Sequence, residues 1–134
     1  MSKFYKSRKR GGGRHLQLSE HLQSTEAWAS LKPGPRALYV ELKRRYNGSN
    51  NGRIFLSHRD AAIAINVHRN TVGPYFRGLE ERGFIRMTQA SYLGTAGIGL
   101  AALWALEEVA TADGKPATRS FIKWKKKPRT KTVT

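Results

Sequence analysis

"NVHRNTVGPYFRGLEERGFI" at residues 66–85 decides how the chain is read. Val72, Tyr75 or Phe76, and Leu79 recur at the spacing of a helix with one buried side. Gly83 ends that pattern. "FIRMTQA" at 84–90 then has the composition of a strand. The difficulty is Gly73-Pro74. An interior proline costs about 3 kcal/mol, because it removes one hydrogen bond and crowds the preceding turn. Most of that cost disappears in the first turn, where the amides have no helical partner. The sequence therefore predicts a helix over about 70–82 with Asn70 as N-cap, which makes Pro74 the fourth helical residue. A start at His68 or earlier would place a kink at Pro74.

Just upstream, "SHRD" at 57–60 reads as a helix start, with Ser57 as N-cap and Asp60 three residues on. Two helices meeting at roughly a right angle need a small residue where they cross, here Ala62. They also need a turn residue tolerant of left-handed angles, here Asn66, with apolar neighbours such as Ile65 and Val67. Each requirement is met between His58 and Leu79.

Further out, "HLQSTEAWASL" at 21–31 predicts one helix that buries Leu22, Trp28 and Leu31. After "KPGP", Pro35 opens a second helix, "PRALYVELKRRY", whose last turn carries Lys43, Arg44 and Arg45. "NGSNNG" at 47–52 ends it, and "RIFL" at 53–56 is a short strand. "SYLGTAGIGLA" at 91–101 is a glycine-rich hairpin tip. The alternation Ile98-Leu100-Ala102-Trp104-Leu106 favours a return strand, although the Ala, Leu and Glu of 100–110 also suit a helix. The predicted fold is α+β, mainly α with a small antiparallel hairpin.

The chain has 134 residues, enough for one compact domain. It has no cysteine, which excludes disulfides and thiolate chemistry. No stretch approaches the roughly 18 apolar residues of a membrane span, and no apolar segment follows the basic start, so a cytoplasmic protein without a secretory signal is expected. The net charge is +16, and its placement is uneven. Residues 1–14 hold 6 basic side chains and residues 115–134 hold 8, neither with an acid. The stretch between keeps 11 basic residues and all 9 acids. That pattern predicts a basic flexible arm at 1–14, a folded domain at 15–110 and a basic extension at 111–134. Acid-free arms repel themselves and seek polyanions.

"GGGRH", "TEAW", "RALYVEL", "RYNGSNNGRI", "RDAA" and "ATRSFIKW", spread over residues 11–124, are similar to segments of small helix-turn-helix proteins of bacterial, often alphaproteobacterial, genomes, prophages and mobile elements. Together with the two-helix unit and the strand–wing–strand pattern, the chain resembles the winged helix-turn-helix DNA-binding family. The resemblance implies a double-stranded DNA partner and a recognition helix in the major groove. It also implies a role as transcriptional regulator, or as accessory factor in replication or excision of a mobile element. One departure is the wing: "QASYLGTAGIGLAAL" carries no charge, whereas the family's wing tips are usually basic.

On the predicted helix, Arg69, Asn70 and Arg77 are candidates for base edges, since Arg pairs with guanine and Asn with adenine. His68, Thr71, Gly73, His58, Arg59, Arg53, Lys43, Arg44 and Arg45 are candidates for phosphate or groove contacts. Gly73 would let the backbone approach DNA. Arg8, Lys9, Arg10 and Arg14 in one arm, and Lys123, Lys125, Lys126, Lys127 and Arg129 in the other, would supply non-specific affinity. The four histidines lack metal-ligand spacing, and Ser57, His58 and Asp60 are better explained by capping than by a catalytic triad. No metal, cofactor, small-molecule effector or enzymatic activity is expected, and a homodimer would double the site. Trp28 and Trp104 read as core, and Trp124 as core or as a base-stacking side chain. Other readings are a module for single-stranded DNA or RNA, a replication-initiation factor, and an anti-repressor docking through its uncharged wing.

Overall fold

A computed structural model of the chain describes residues 13–93 and 99–127. Two single-turn helices come first, α1 (Glu20–Gln23) and α2 (Glu26–Ala29). The sequence predicts one helix here, and the hydroxyls divide it. Ser24 Oγ donates to the His21 carbonyl, and Thr25 Oγ1 donates to that of Leu22 and accepts from the Trp28 amide. Such local bonds compete with continuation of a helix and start a new one. Helix α3 (Pro33–Arg45) begins two residues earlier than expected, because Pro33 and Pro35 both fit in a first turn whose amides need no partner. Gly48 and Gly52 adopt left-handed angles in the loop that follows.

Strand β1 (Ile54–Phe55) leads into α4 (His58–Ile65), α5 (Arg69–Glu81) and β2 (Ile85–Gln89). β3 (Tyr92–Leu93) and β4 (Gly99–Leu100) pair antiparallel as a small ladder, and β5 (Leu103–Leu106) returns. The stretch at 103–106 is thus strand, not helix. β5 lies between β1 and β2 in an antiparallel sheet of order β1-β5-β2. Trp104 is opposite both Ile54 and Met87, and the register slips between Met87 and Gln89, leaving Thr88 at a bulge. The described residues therefore form a mixed α+β fold of five α-helices with a three-stranded sheet.

Strand alternation gives the sheet two different faces. Ile54, Met87 and Trp104 look toward the helices; Trp104 stacks on Phe76 of α5 at 5.2 Å. Phe55, Arg86 and Ala105 belong to the other face, and Arg53, just before β1, lines one cavity with Arg86. The core gathers Trp28, Tyr39 and Phe84 in edge-on contact at 5.7–5.8 Å, around Leu38, Leu42, Val72, Phe76, Leu79 and Leu106.

The extension expected from residue 111 does not leave the domain at that point. Phe121, on a 3₁₀ turn at Ser120–Ile122, is buried and stacks on Phe84 at 5.1 Å. Burying one such ring contributes about 1.5–3 kcal/mol. Backbone bonds from Ala112 to Asn51 and from Arg119 to Glu107 seat the segment. Buried Glu107 also accepts from the hydroxyls of Thr118 and Ser120. Gly83, at φ +84°, leaves no room for a side chain, since a Cβ there would lie 2.7 Å from the backbone of Ser120 and Phe121. Asn51 closes the other end: its side chain accepts from the Leu106 amide and donates to the carbonyls of Leu106, Val109 and Ala110. Among the described residues no helix is long and apolar enough to cross a membrane.

Candidate nucleic-acid interface

Helices α4 and α5 are joined by Asn66, Val67 and His68. Ser57 Oγ accepts from the Asp60 amide at 3.0 Å and starts α4. Asn66 adopts left-handed angles (φ 58°, ψ 54°), and the Val67 amide donates back to the Ala62 carbonyl at 3.0 Å. Ala61 and Ala62 are buried, so α5 packs closely on α4.

The expected cap of α5 needs correction. His68, not Asn70, is the N-cap: its Nδ1 accepts from the Asn70 amide at 3.0 Å. The ring must therefore carry its hydrogen on Nε2. The helix runs from Arg69, and Pro74 is its sixth residue rather than its fourth. Proline thus sits in the second turn and removes the bond that residue 74 would donate to the Asn70 carbonyl. The helix nevertheless continues through it to Glu81.

This earlier start alters what the helix presents. Val72, Phe76 and Leu79 are buried, while Arg69, Asn70, Pro74 and Arg77 are exposed on the opposite side. The side chain of Asn70 is released from capping duty. Arg77 reaches back over Gly73: a Cβ built there would lie 3.5 Å from its guanidinium and 3.7 Å from the His58 ring. His58 in turn stacks on Phe76 at 5.0 Å, so α4 and α5 share an aromatic edge ending in an exposed imidazole. Arg59, Ile63, Asn66, His68, Arg69 and Asn70 line a shallow concavity at the turn. The structure thus brings together Arg69, Asn70, Gly73, Arg77, His58, Arg59 and His68, with Thr71 half-buried at the margin.

Other expected contacts lie elsewhere. Lys43 is buried, not surface-exposed, with its Nζ 2.8 Å from Glu108. Tyr39 donates to the same carboxylate, and burial first, then the Glu108 charge, holds its hydroxyl pKa well above the ordinary value. Arg44 and Arg45 both bond Glu41, at 3.1 and 3.0 Å. Arg14 is pinned rather than loose, its guanidinium donating to the carbonyls of Arg44 and Tyr46. Arg53 is exposed on the face of the sheet away from α5.

Lys123, Lys125, Lys126 and Lys127 are exposed, and Lys125 lies 3.8 Å from Glu26. Trp124 is half-buried under the Arg82 guanidinium at 4.9 Å, so its ring already has a cationic partner. Arg8, Lys9, Arg10 and Arg129 fall outside the described residues, as does the hairpin tip at 94–98. Arg86 and Lys115 join Arg53 around a cavity on the outer sheet face. Sequence reading missed that grouping; the only signal was the alternation of Arg86 and Thr88 within "FIRMTQA". Comparison of the chain with family models, curated proteins and solved structures finds no match.

Proposed function

We propose that the chain is a winged helix-turn-helix protein that binds double-stranded DNA sequence-specifically, with α5 entering the major groove. The observation that carries this reading is the division of α5: one side is buried against α4 and the sheet, and the other offers Arg69, Asn70, Gly73 and Arg77. Arginine and asparagine suit guanine and adenine edges, each good pair worth about 1–3 kcal/mol of discrimination. The glycine and the adjacent proline keep this part of the helix low, which favours close approach of the backbone. His58, Arg59 and His68 flank the helix where phosphates of the groove walls would pass. The basic segments add sequence-independent attraction. In this reading β2, the β3–β4 ladder and β5 form the wing, and the protein is a regulator or accessory factor of a phage or mobile element.

Selection from a random duplex pool, followed by gel shifts with competitor DNA, tests the proposal. A recurring motif should emerge, and Arg69→Ala with Arg77→Ala should weaken the motif duplex by at least about tenfold while leaving random duplex nearly unchanged. Equal affinity for every duplex would sink it.

A further inference from the structure

We infer that the outer face of the sheet, turned away from α5, holds a second site, for a nucleoside phosphate. This goes beyond the duplex-binding proposal and does not rest on it.

Three cationic side chains from separate parts of the chain meet there. Arg53 precedes β1, Arg86 lies on β2 and Lys115 ends the turn at 111–115, and all three line one cavity of about 370 Å³. Each is exposed. Their backbones are fixed, because Asn51 ties the β1 side to β5 and the Ala112 amide donates to the Asn51 carbonyl. The Thr111 amide donates to the Lys115 carbonyl at 2.9 Å and holds the turn shut. The Thr88 hydroxyl, projecting from the bulge, donates to the Gly52 carbonyl and joins the far side of the sheet.

The charge count suits a phosphate. Asp113 is the acid at the rim, and the Thr111 hydroxyl, then the Lys115 amide, hold its carboxyl below the ordinary value, so it is ionised at neutral pH. Three cations against one carboxylate, which Lys115 Nζ approaches at 4.0 Å, leave a net positive site that suits phosphate oxygens, whether a nucleotide's monoester or a strand's diester. The nearby hydroxyls of Thr88 and Thr111 already donate within the protein, to Gly52 and Asp113, so recognition falls to the guanidinium and ammonium groups.

The same sheet face also carries an exposed aromatic ring, outside the lining of the cavity. Phe55 is 51% exposed, follows Arg53 by two residues, and shares the outer face of the sheet with Arg86. Two residues of extended chain span roughly 7 Å, so a ligand gripped at Arg53 can also reach the Phe55 ring. A base stacked on an aromatic ring next to a cationic groove is how single strands are held without sequence preference. A free nucleotide presents the same pair of groups, so the ligand chemistry is common to both sources.

Anisotropy of a short fluorescent oligothymidylate with the full chain at near-physiological salt tests the site, with ATP as competitor and a duplex probe alongside. Arg86→Ala with Lys115→Ala should weaken the strand at least about tenfold, and Phe55→Ala about fivefold or more, while duplex affinity stays within about twofold. Displacement by ATP identifies a free nucleotide as the source, and binding that ATP does not displace identifies a strand. Should the double variant melt early, Arg86→Gln and Lys115→Gln singly carry the same comparison. Wild-type affinity in all these variants, or failure of both the oligothymidylate and a fluorescently labelled ATP to bind, overturns the site. Arg69→Ala with Arg77→Ala, read on the duplex, tests the first proposal independently.

Discussion

Pro74 is the residue at which local energetics and surface chemistry pull apart. In the sixth position of α5 it removes a hydrogen bond that alanine would make. Its exposed ring makes no contribution to the buried side of the helix. Pro74→Ala should therefore stabilise the fold by about 1–3 kcal/mol, read as a raised melting temperature. If the carbonyl of Asn70 is left open for a partner outside the helix, the same substitution should weaken duplex binding. An unchanged or lower melting temperature would show that the helix has already accommodated the proline. The misplaced start has a specific cause. Imidazole is not among the usual N-cap side chains, so "VHRN" pointed to Asn70, and the Nδ1 cap of His68 became visible only in three dimensions.

Among the elements, α3 shows most clearly what one-dimensional reading cannot supply. Lys43, Arg44 and Arg45 look alike in sequence, yet Lys43 turns inward to Glu108, which is 65 residues away. No local pattern carries that pairing. By contrast the α4–turn–α5 unit was legible, because Ser57, Ala62, Asn66 and Leu79 each act on neighbours within a few residues. Tyr39 shares the Glu108 carboxylate and makes alkaline stability a test of this junction. Its pKa is raised on folding, so its contribution is complete below about pH 10 and is lost as pH climbs through the folded value. Tyr39→Phe should cost about 1.5–3 kcal/mol at neutral pH, for one bond to a charged group. It should also flatten the fall in melting temperature above pH 10, measured by calorimetry against wild type. Equal alkaline slopes would mean that Tyr39 titrates normally.

For the whole molecule, the arrangement of charge makes a quantitative forecast. Each phosphate contact contributes about −0.9 to the slope of log affinity against log salt on duplex DNA. Removing residues 1–13 deletes five basic side chains but spares Arg14, which is anchored to the end of α3. The slope should become shallower by up to about 4, with the preferred duplex unchanged. A slope that does not move would mean that this segment stays off the DNA. The outer cavity belongs to the same scale. Its cations come from 53, 86 and 115; the sheet order, β1-β5-β2, and the turn at 111–115 seated on Asn51 together bring them to one cavity.

The seat of Phe121 on Phe84 also bears on how the protein is made. Lys126 bonds Glu26 across 100 residues, and Phe121 fills a core whose other walls come from Trp28 and Tyr39. Synthesis runs from the first residue onward, so α1 through β5 emerge from the ribosome before the ring that closes them does. Until then Phe84 and its neighbours face solvent or a chaperone. Folding of this domain is therefore set to complete only once residue 121 has emerged, and chains arrested with Phe121 still inside the ribosome should be cut by protease where chains arrested after it has emerged are protected.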